Sequence, residues 1–275
     1  MSASETNGRV RVVSSASRSP SLLQALAIKM EGLLWRRRAE NWDQEGSAKL
    51  APVVAAVLHG CGARPEMVGV DLGCGSGQVT LPLAGQCLHV LAVDLSAEAV
   101  ELLKARAERQ GIGNIHALTQ PIETFELAPE SVDLVVSNYA LHHLRDRDKA
   151  EVIRRSFEWL RPGGRVVIGD MMFGRGSNPE DRAVIADKVK AFSKRGPGGW
   201  WRILKNAWRF TFRLQEKPLS TTAWDALVRE VGFREVRIRR VRAEACVLCA
   251  CKPEQSADPE RALVSLEPGL LEQQR

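Results

Sequence analysis

The chain has 275 residues, 44% of them hydrophobic, and 39 Lys and Arg against 33 Asp and Glu give it a formal net charge of +6. That length and apolar content suffice to bury a full core in one elaborated domain, and six cysteines in so long a chain do not suggest a disulfide-built scaffold. No apolar run reaches the ~18 residues of a membrane span and no secretory h-region is present, so a cytoplasmic protein is expected, its positive charge saying only that anionic partners are attracted.

In chain order, residues 1–20 are rich in Ser, Arg and Thr without periodicity and read as a disordered tail. Helical periodicity follows over 21–37 and 48–59. Strands are predicted over 67–71, 89–94, 114–118, 132–137 and 165–169, with helices over 77–85, from the N-cap Ser96 to 110, and over 148–160. Strands alternating with helices imply a parallel sheet. Two further helical patterns, 178–194 and 199–214, are separated by Arg195-Gly196-Pro197-Gly198, and strands over 235–240 and 243–251 close the chain before a flexible tail, 254–275. Cys246, Cys249 and Cys251 alternate along the last strand, where they read as small apolar residues; no metal site is expected.

The most informative stretch is Asp71-Leu72-Gly73-Cys74-Gly75-Ser76-Gly77, between the first strand and its helix. A turn whose backbone presses on a ligand needs φ freedom and no Cβ in the way, and the helix that follows points free N–H groups at whatever binds there. A second acid, Asp94, ends the next strand about 20 residues on, placed to accept hydrogen bonds from ribose hydroxyls. The glycines read G-C-G-S-G rather than the dehydrogenase G-x-G-x-x-G, and Gln78 stands in place of the last dehydrogenase glycine.

Two further segments, 132–144 (V-D-L-V-V-S-N-Y-A-L-H-H-L) and 160–168 (L-R-P-G-G-R-V-V-I), share this order and spacing with the glycine turn and Ala92-Val93-Asp94. Together they resemble class I S-adenosylmethionine-dependent methyltransferases, especially the small-molecule branch that includes the ubiquinone/menaquinone biosynthesis enzymes. The resemblance is strong over about 50–169. It implies an α/β fold: a Rossmann-like, seven-stranded, mostly parallel sheet with an antiparallel edge, residues 21–253 forming the domain and 171–219 a helical lid or substrate insertion after strand five.

S-adenosylmethionine is then the implied cofactor, its ammonium and sulfonium attracted by Asp71 where a pyrophosphate would gain little. The residues implied to bind it are Asp71, Gly73, Cys74, Gly75 and Gly77 in the turn, Asp94 and Leu95 at the ribose, Gln120, Pro121 and Ile122 at the adenine, and Asn138. Gln120 departs from the family, which usually carries a Gly-Asp pair there; its amide is the substitute acceptor. Tyr139, His142 and His143 are the catalytic candidates, although a Leu-His-His-Leu sequence occurs in such enzymes whatever the substrate. The acceptor is expected to be a small or lipid-like molecule. RNA methylation and an NAD-dependent oxidoreductase are the alternatives, and the oligomeric state is open.

The 199–214 pattern places Trp201, Leu204, Trp208 and Phe212 on one stripe and Arg202, Lys205, Arg209 and Arg213 on another. This reads as a lid helix packed by its aromatics, or as a surface for peripheral contact with anionic membrane. Nucleic acid is the lesser expectation, because the Ser-Asn-Tyr-Ala sequence after strand four lacks the Pro-Pro-aromatic loop common in amino methylases of bases.

Overall fold

The computed structural model describes residues 39–174, 179–193, 217–242 and 244–254. The expected tails, the 21–37 helix and the aromatic pattern of 199–214 lie outside the described residues.

Seven strands form one sheet: β1 (Val68–Leu72), β2 (His89–Asp94), β3 (Ile115–Thr119), β4 (Val132–Asn138), β5 (Leu160–Met171), β6 (Arg234–Arg240) and β7 (Ala245–Cys251). Their spatial order is β3-β2-β1-β4-β5-β7-β6. β3, β2, β1, β4 and β5 pair in parallel, while β7 runs antiparallel between β5 and β6. The Rossmann-like sheet with an antiparallel edge is therefore as expected. Around it lie α1 (Ala39–Cys61), α2 (Thr80–Ala84), α3 (Ala97–Arg109), α4 (Asp146–Trp159), α5 (Pro179–Ser193) and α6 (Thr221–Val231).

All five residues of β1 are buried, as a parallel strand covered on both faces requires. On one face Val70, Leu72, Val135, Ile168 and Leu248 pack with Trp159 of α4 and Trp224 and Val228 of α6. On the other, Val90, Val136, Val167 and Val247 pack with Val53 and Val57 of α1 and Leu83 of α2. Order reversal at β1, with β2 on one side and β4 on the other, opens a crevice at the carboxyl ends of these strands.

Differences from the sequence reading have local causes. The helix expected over 77–85 shrinks to Thr80–Ala84 because Gly73, Gly75 and Gly77 take positive φ and the turn uses up the intervening chain. α6 is not among the elements expected from the sequence; Ser220 caps it by accepting from Ala223 N and Gly232 ends it at φ 120°. The three cysteines of β7 sit as expected, Cys246 buried and Cys249 and Cys251 half-buried, all free thiols. Among the described residues no cluster can hold a metal ion, and no helix is long and apolar enough to cross a membrane.

Candidate functional site

β1 delivers the chain into the glycine turn, where Gly73 N and Cys74 N donate to Val93 O of β2 at 2.7 and 3.1 Å. Gly73 adopts φ +79°, and a Cβ there would lie 2.2 Å from Cβ of Ala140. Gly75 faces open space, whereas a Cβ on Gly77 would lie 2.5 Å from Leu103 of α3. Gly77 is thus a packing glycine that lets the turn close on the helix. Gly73→Ala combines left-handed backbone strain with overpacking, each costing roughly 1–3 kcal/mol, so urea unfolding is expected to show a loss of about 2–4 kcal/mol. A loss below ~1 kcal/mol would show that the turn relaxes freely.

Asp94 braces this turn. Its Oδ2 accepts from Gly75 N and its Oδ1 from Ser96 N, both at 2.8 Å, and Ser96 Oγ in turn caps α3 by accepting from Ala99 N at 3.2 Å. Burial raises the carboxyl pKa of Asp94 above its ordinary value, against the pull of these backbone donors. Asp71 is 1% exposed and accepts from Thr80 Oγ1 at 2.7 Å through Oδ2, while Oδ1 has no partner. Burial pushes its carboxyl up to about 7. Asn138 Oδ1 is a second buried oxygen without a partner. Both residues line the same cleft.

That cleft is open to solvent at its mouth. Of the residues expected to bind the cofactor, it brings together Asp71, Gly73, Cys74, Gly75, Asp94, Leu95, Ile122 and Asn138. Gly77, Gln120 and Pro121 do not line it. Gln120 Nε2 donates to Thr124 O at 3.1 Å across the 3₁₀ turn Ile122–Thr124, and Glu123 lines the cleft. Ser76, Ser96 and Leu144 line it without having been singled out as contacts; Ser76 and Ser96 flank the two motifs and were readable from that adjacency. Asp71, Asp94 and Glu123 supply three carboxylates, and among the described residues no Lys or Arg lines the wall.

The catalytic candidates separate sharply. His142 is buried, its Nδ1 2.6 Å from Asp170 Oδ1 and its N–H donating to Asp170 Oδ2 at 2.9 Å. Asp170 Oδ1 also accepts from Met171 N at 2.7 Å. His143 lines the cleft, with its ring centroid 4.0 Å from that of His142. Tyr139 lines it too, from a backbone at φ +53° tied by Tyr139 N to Gly169 O at 2.7 Å. Burial, with Glu244 and Asp170 nearby, raises the Tyr139 phenol well above its usual value, which unfits it as a base.

Residues 70–164 match a family described as a methyltransferase domain. The chain is 30% identical over 211 residues to an arsenite methyltransferase of Aquipseudomonas alcaligenes, across 70% of this chain and 59% of that relative. It is 30% identical over 111 residues to the ubiquinone/menaquinone biosynthesis C-methyltransferase of Vibrio vulnificus, across 39% of this chain and 42% of that protein. The chain thus spans only part of the length of these curated relatives. Among solved structures, the Burkholderia thailandensis 1,6-didemethyltoxoflavin-N1-methyltransferase, with its substrate and S-adenosylhomocysteine bound, superposes with a TM-score of 0.59 over 89% of this chain and 95% of that one, at 19% identity. That likeness concerns the fold.

Proposed function

We propose that this chain, whose residues 70–164 match a methyltransferase domain, is a class I S-adenosylmethionine-dependent methyltransferase that transfers a methyl group to a small or lipid-like acceptor. The observation that carries the cofactor reading is electrostatic. A cleft with three carboxylates and, among the described residues, no lining cation suits a ligand bearing an ammonium and a sulfonium and repels the pyrophosphate of NAD. The two orphaned oxygens, Asp71 Oδ1 and Asn138 Oδ1, fit the same ligand, which brings donors.

In this reading Asp94 accepts from the ribose hydroxyls with the lone pairs its two backbone bonds leave over, and Asp71 with the Gly73–Gly75 backbone receives the amino-acid end. Ile122 and Leu95 flank the adenine. When bound, S-adenosylmethionine supplies an electrophilic methyl group on a sulfonium, so the protein's task is chiefly alignment. An acceptor that starts protonated must lose a proton, and an imidazole is the side chain suited to that near neutral pH. His143 holds that position in the cleft; His142 is turned away toward Asp170 and Tyr139 keeps its proton.

Thermal shift against a cofactor panel tests the reading. S-adenosylhomocysteine at 100 times its Kd adds about 2.7 kcal/mol to the native state, whereas NAD is expected to add nothing. Protection by NAD alone would overturn the assignment.

A pH dependence follows from Asp71. Its folded pKa is raised, so the free protein loses this contribution to stability as pH climbs from the ordinary carboxylate range through about 7. A bound ammonium favours the ionised acid and reverses the preference. S-adenosylhomocysteine is therefore expected to bind more tightly as pH rises from about 5 to about 8, releasing protons on binding. Calorimetry in two buffers of different ionisation enthalpy measures that release, and equal heats in both would remove Asp71 from the ammonium site.

The acceptor reading extends to lipid-like molecules through the cationic, aromatic pattern of 199–214. Flotation with liposomes containing anionic lipid is expected to weaken when Arg202, Lys205 and Arg209 are replaced together; unchanged flotation would leave a plain lid helix.

A further inference from the structure

The cleft wall after β4 ends in the 3₁₀ turn Leu141–His143, which no helix continues, so its carbonyls need partners from elsewhere. Lysines supply them in succession. Lys217 N donates to His142 O at 2.7 Å, Lys217 Nζ to His143 O at 2.9 Å, and Lys149 Nζ to Leu144 O at 2.7 Å. Lys149 Nζ also donates to Lys217 O at 2.6 Å and to Asp146 Oδ1 at 3.2 Å. Three acceptors around the Lys149 nitrogen match the three protons of an ammonium, so a lysine with 0% exposure has its donors satisfied in the core.

His143 and Leu144 line the cleft, and Lys217 is the first described residue after 193. Lys149 Nζ therefore joins the cleft wall to residue 217 beside the two direct bonds of Lys217 to His142 O and His143 O. Opposite it, Asp170 anchors the same turn to β5 through His142.

We propose that Lys149 and Lys217 are positioning residues that set the His143–Leu144 wall and transmit its displacement by a bound ligand to residues 217–220. The proposal rests on the cofactor reading above, because the ligand that fills the cleft is taken to be S-adenosylmethionine or its product. A lysine that merely filled space would hold the turn in both free and bound protein and leave no ligand-dependent signal at 217–220. Charge-assisted bonds from a single ammonium to Leu144 O and Lys217 O couple the two instead.

Hydrogen exchange with and without saturating S-adenosylhomocysteine, read alongside calorimetry, tests this. In the unmodified protein the ligand is expected to slow exchange about tenfold both in the glycine turn and over 217–224, although 217–220 does not line the cleft. In Lys149→Met, at concentrations that saturate the variant, ligand-induced protection over 217–224 is expected to fall to about threefold, because the two direct bonds of Lys217 to the turn remain, while that of the glycine turn persists. If Lys149→Met does not fold, Lys217→Met, with a half-buried side chain, is expected to diminish the same increment. Persistence of full protection over 217–224 in the variants, or its absence in the unmodified protein while the glycine turn is protected, would overturn the coupling. Failure of the unmodified protein to bind S-adenosylhomocysteine at all would instead overturn the cofactor reading, and this proposal with it.

Discussion

Asp94→Ala is expected to weaken S-adenosylhomocysteine binding at least about 100-fold, enough to erase the thermal shift at concentrations that saturate the unmodified protein. Two effects add. The variant loses the carboxylate proposed to accept from the ribose hydroxyls, and a hydrogen bond to a charged acceptor contributes about 1.5–3 kcal/mol. It also frees Gly75 N and Ser96 N, which Asp94 holds at 2.8 Å, so the turn that should meet the ligand is no longer preorganised. Asp94→Asn separates the contributions, because the amide keeps its size and one acceptor oxygen but cannot brace both backbone donors. It is expected to fall between the two, with urea unfolding of the free variants showing how much is loss of structure. Binding by Asp94→Ala equal to that of the unmodified protein would end the ribose assignment.

Much of this site was legible because its parts sit at fixed offsets from strands. β2 was readable as 89–94, since an apolar run ending in an acid and followed by a capping serine leaves little freedom, and Asp94 and Ser96 landed where the run placed them. Side-chain direction within the connecting turns was not legible. In a 3₁₀ turn successive side chains point about 120° apart, so a one-residue difference decides between core and cleft. Hence His142 faces Asp170 while its neighbour His143 lines the cleft, and Gln120, just outside the turn Ile122–Thr124, is drawn back to Thr124 O.

Lys149 was invisible for a different reason. A lysine on a charged amphipathic helix reads as a solvated residue, and only the tertiary placement of Leu144 O and Lys217 O turns it inward. Asp170 was hidden likewise, at the end of a strand whose pattern gave no sign that the carboxylate would meet backbone donors from the turn after β4.

Asp170→Ala is expected to be the most destabilising single change at the site, lowering unfolding free energy by about 3–5 kcal/mol. The carboxylate is 1% exposed and accepts from His142 N, His142 Nδ1 and Met171 N, so its removal strands two buried backbone donors and a ring proton together. Asp170→Asn cannot repair this, because its amide nitrogen would turn a donor toward one of them. His142→Ala removes only the ring, leaving both backbone donors satisfied, and is expected to cost less, about 1–3 kcal/mol. The contrast also separates structure from chemistry. A positioning His142 predicts that the His142 variant, once folded, still binds S-adenosylhomocysteine and keeps the pH profile of methyl transfer, because the ring does not line the cleft. A general base shows itself as a fall in rate toward acid pH, where it becomes protonated. Loss of that acid limb in His142→Ala, with its retention in His143→Ala, would make His142 the proton acceptor and exchange the roles of the two histidines.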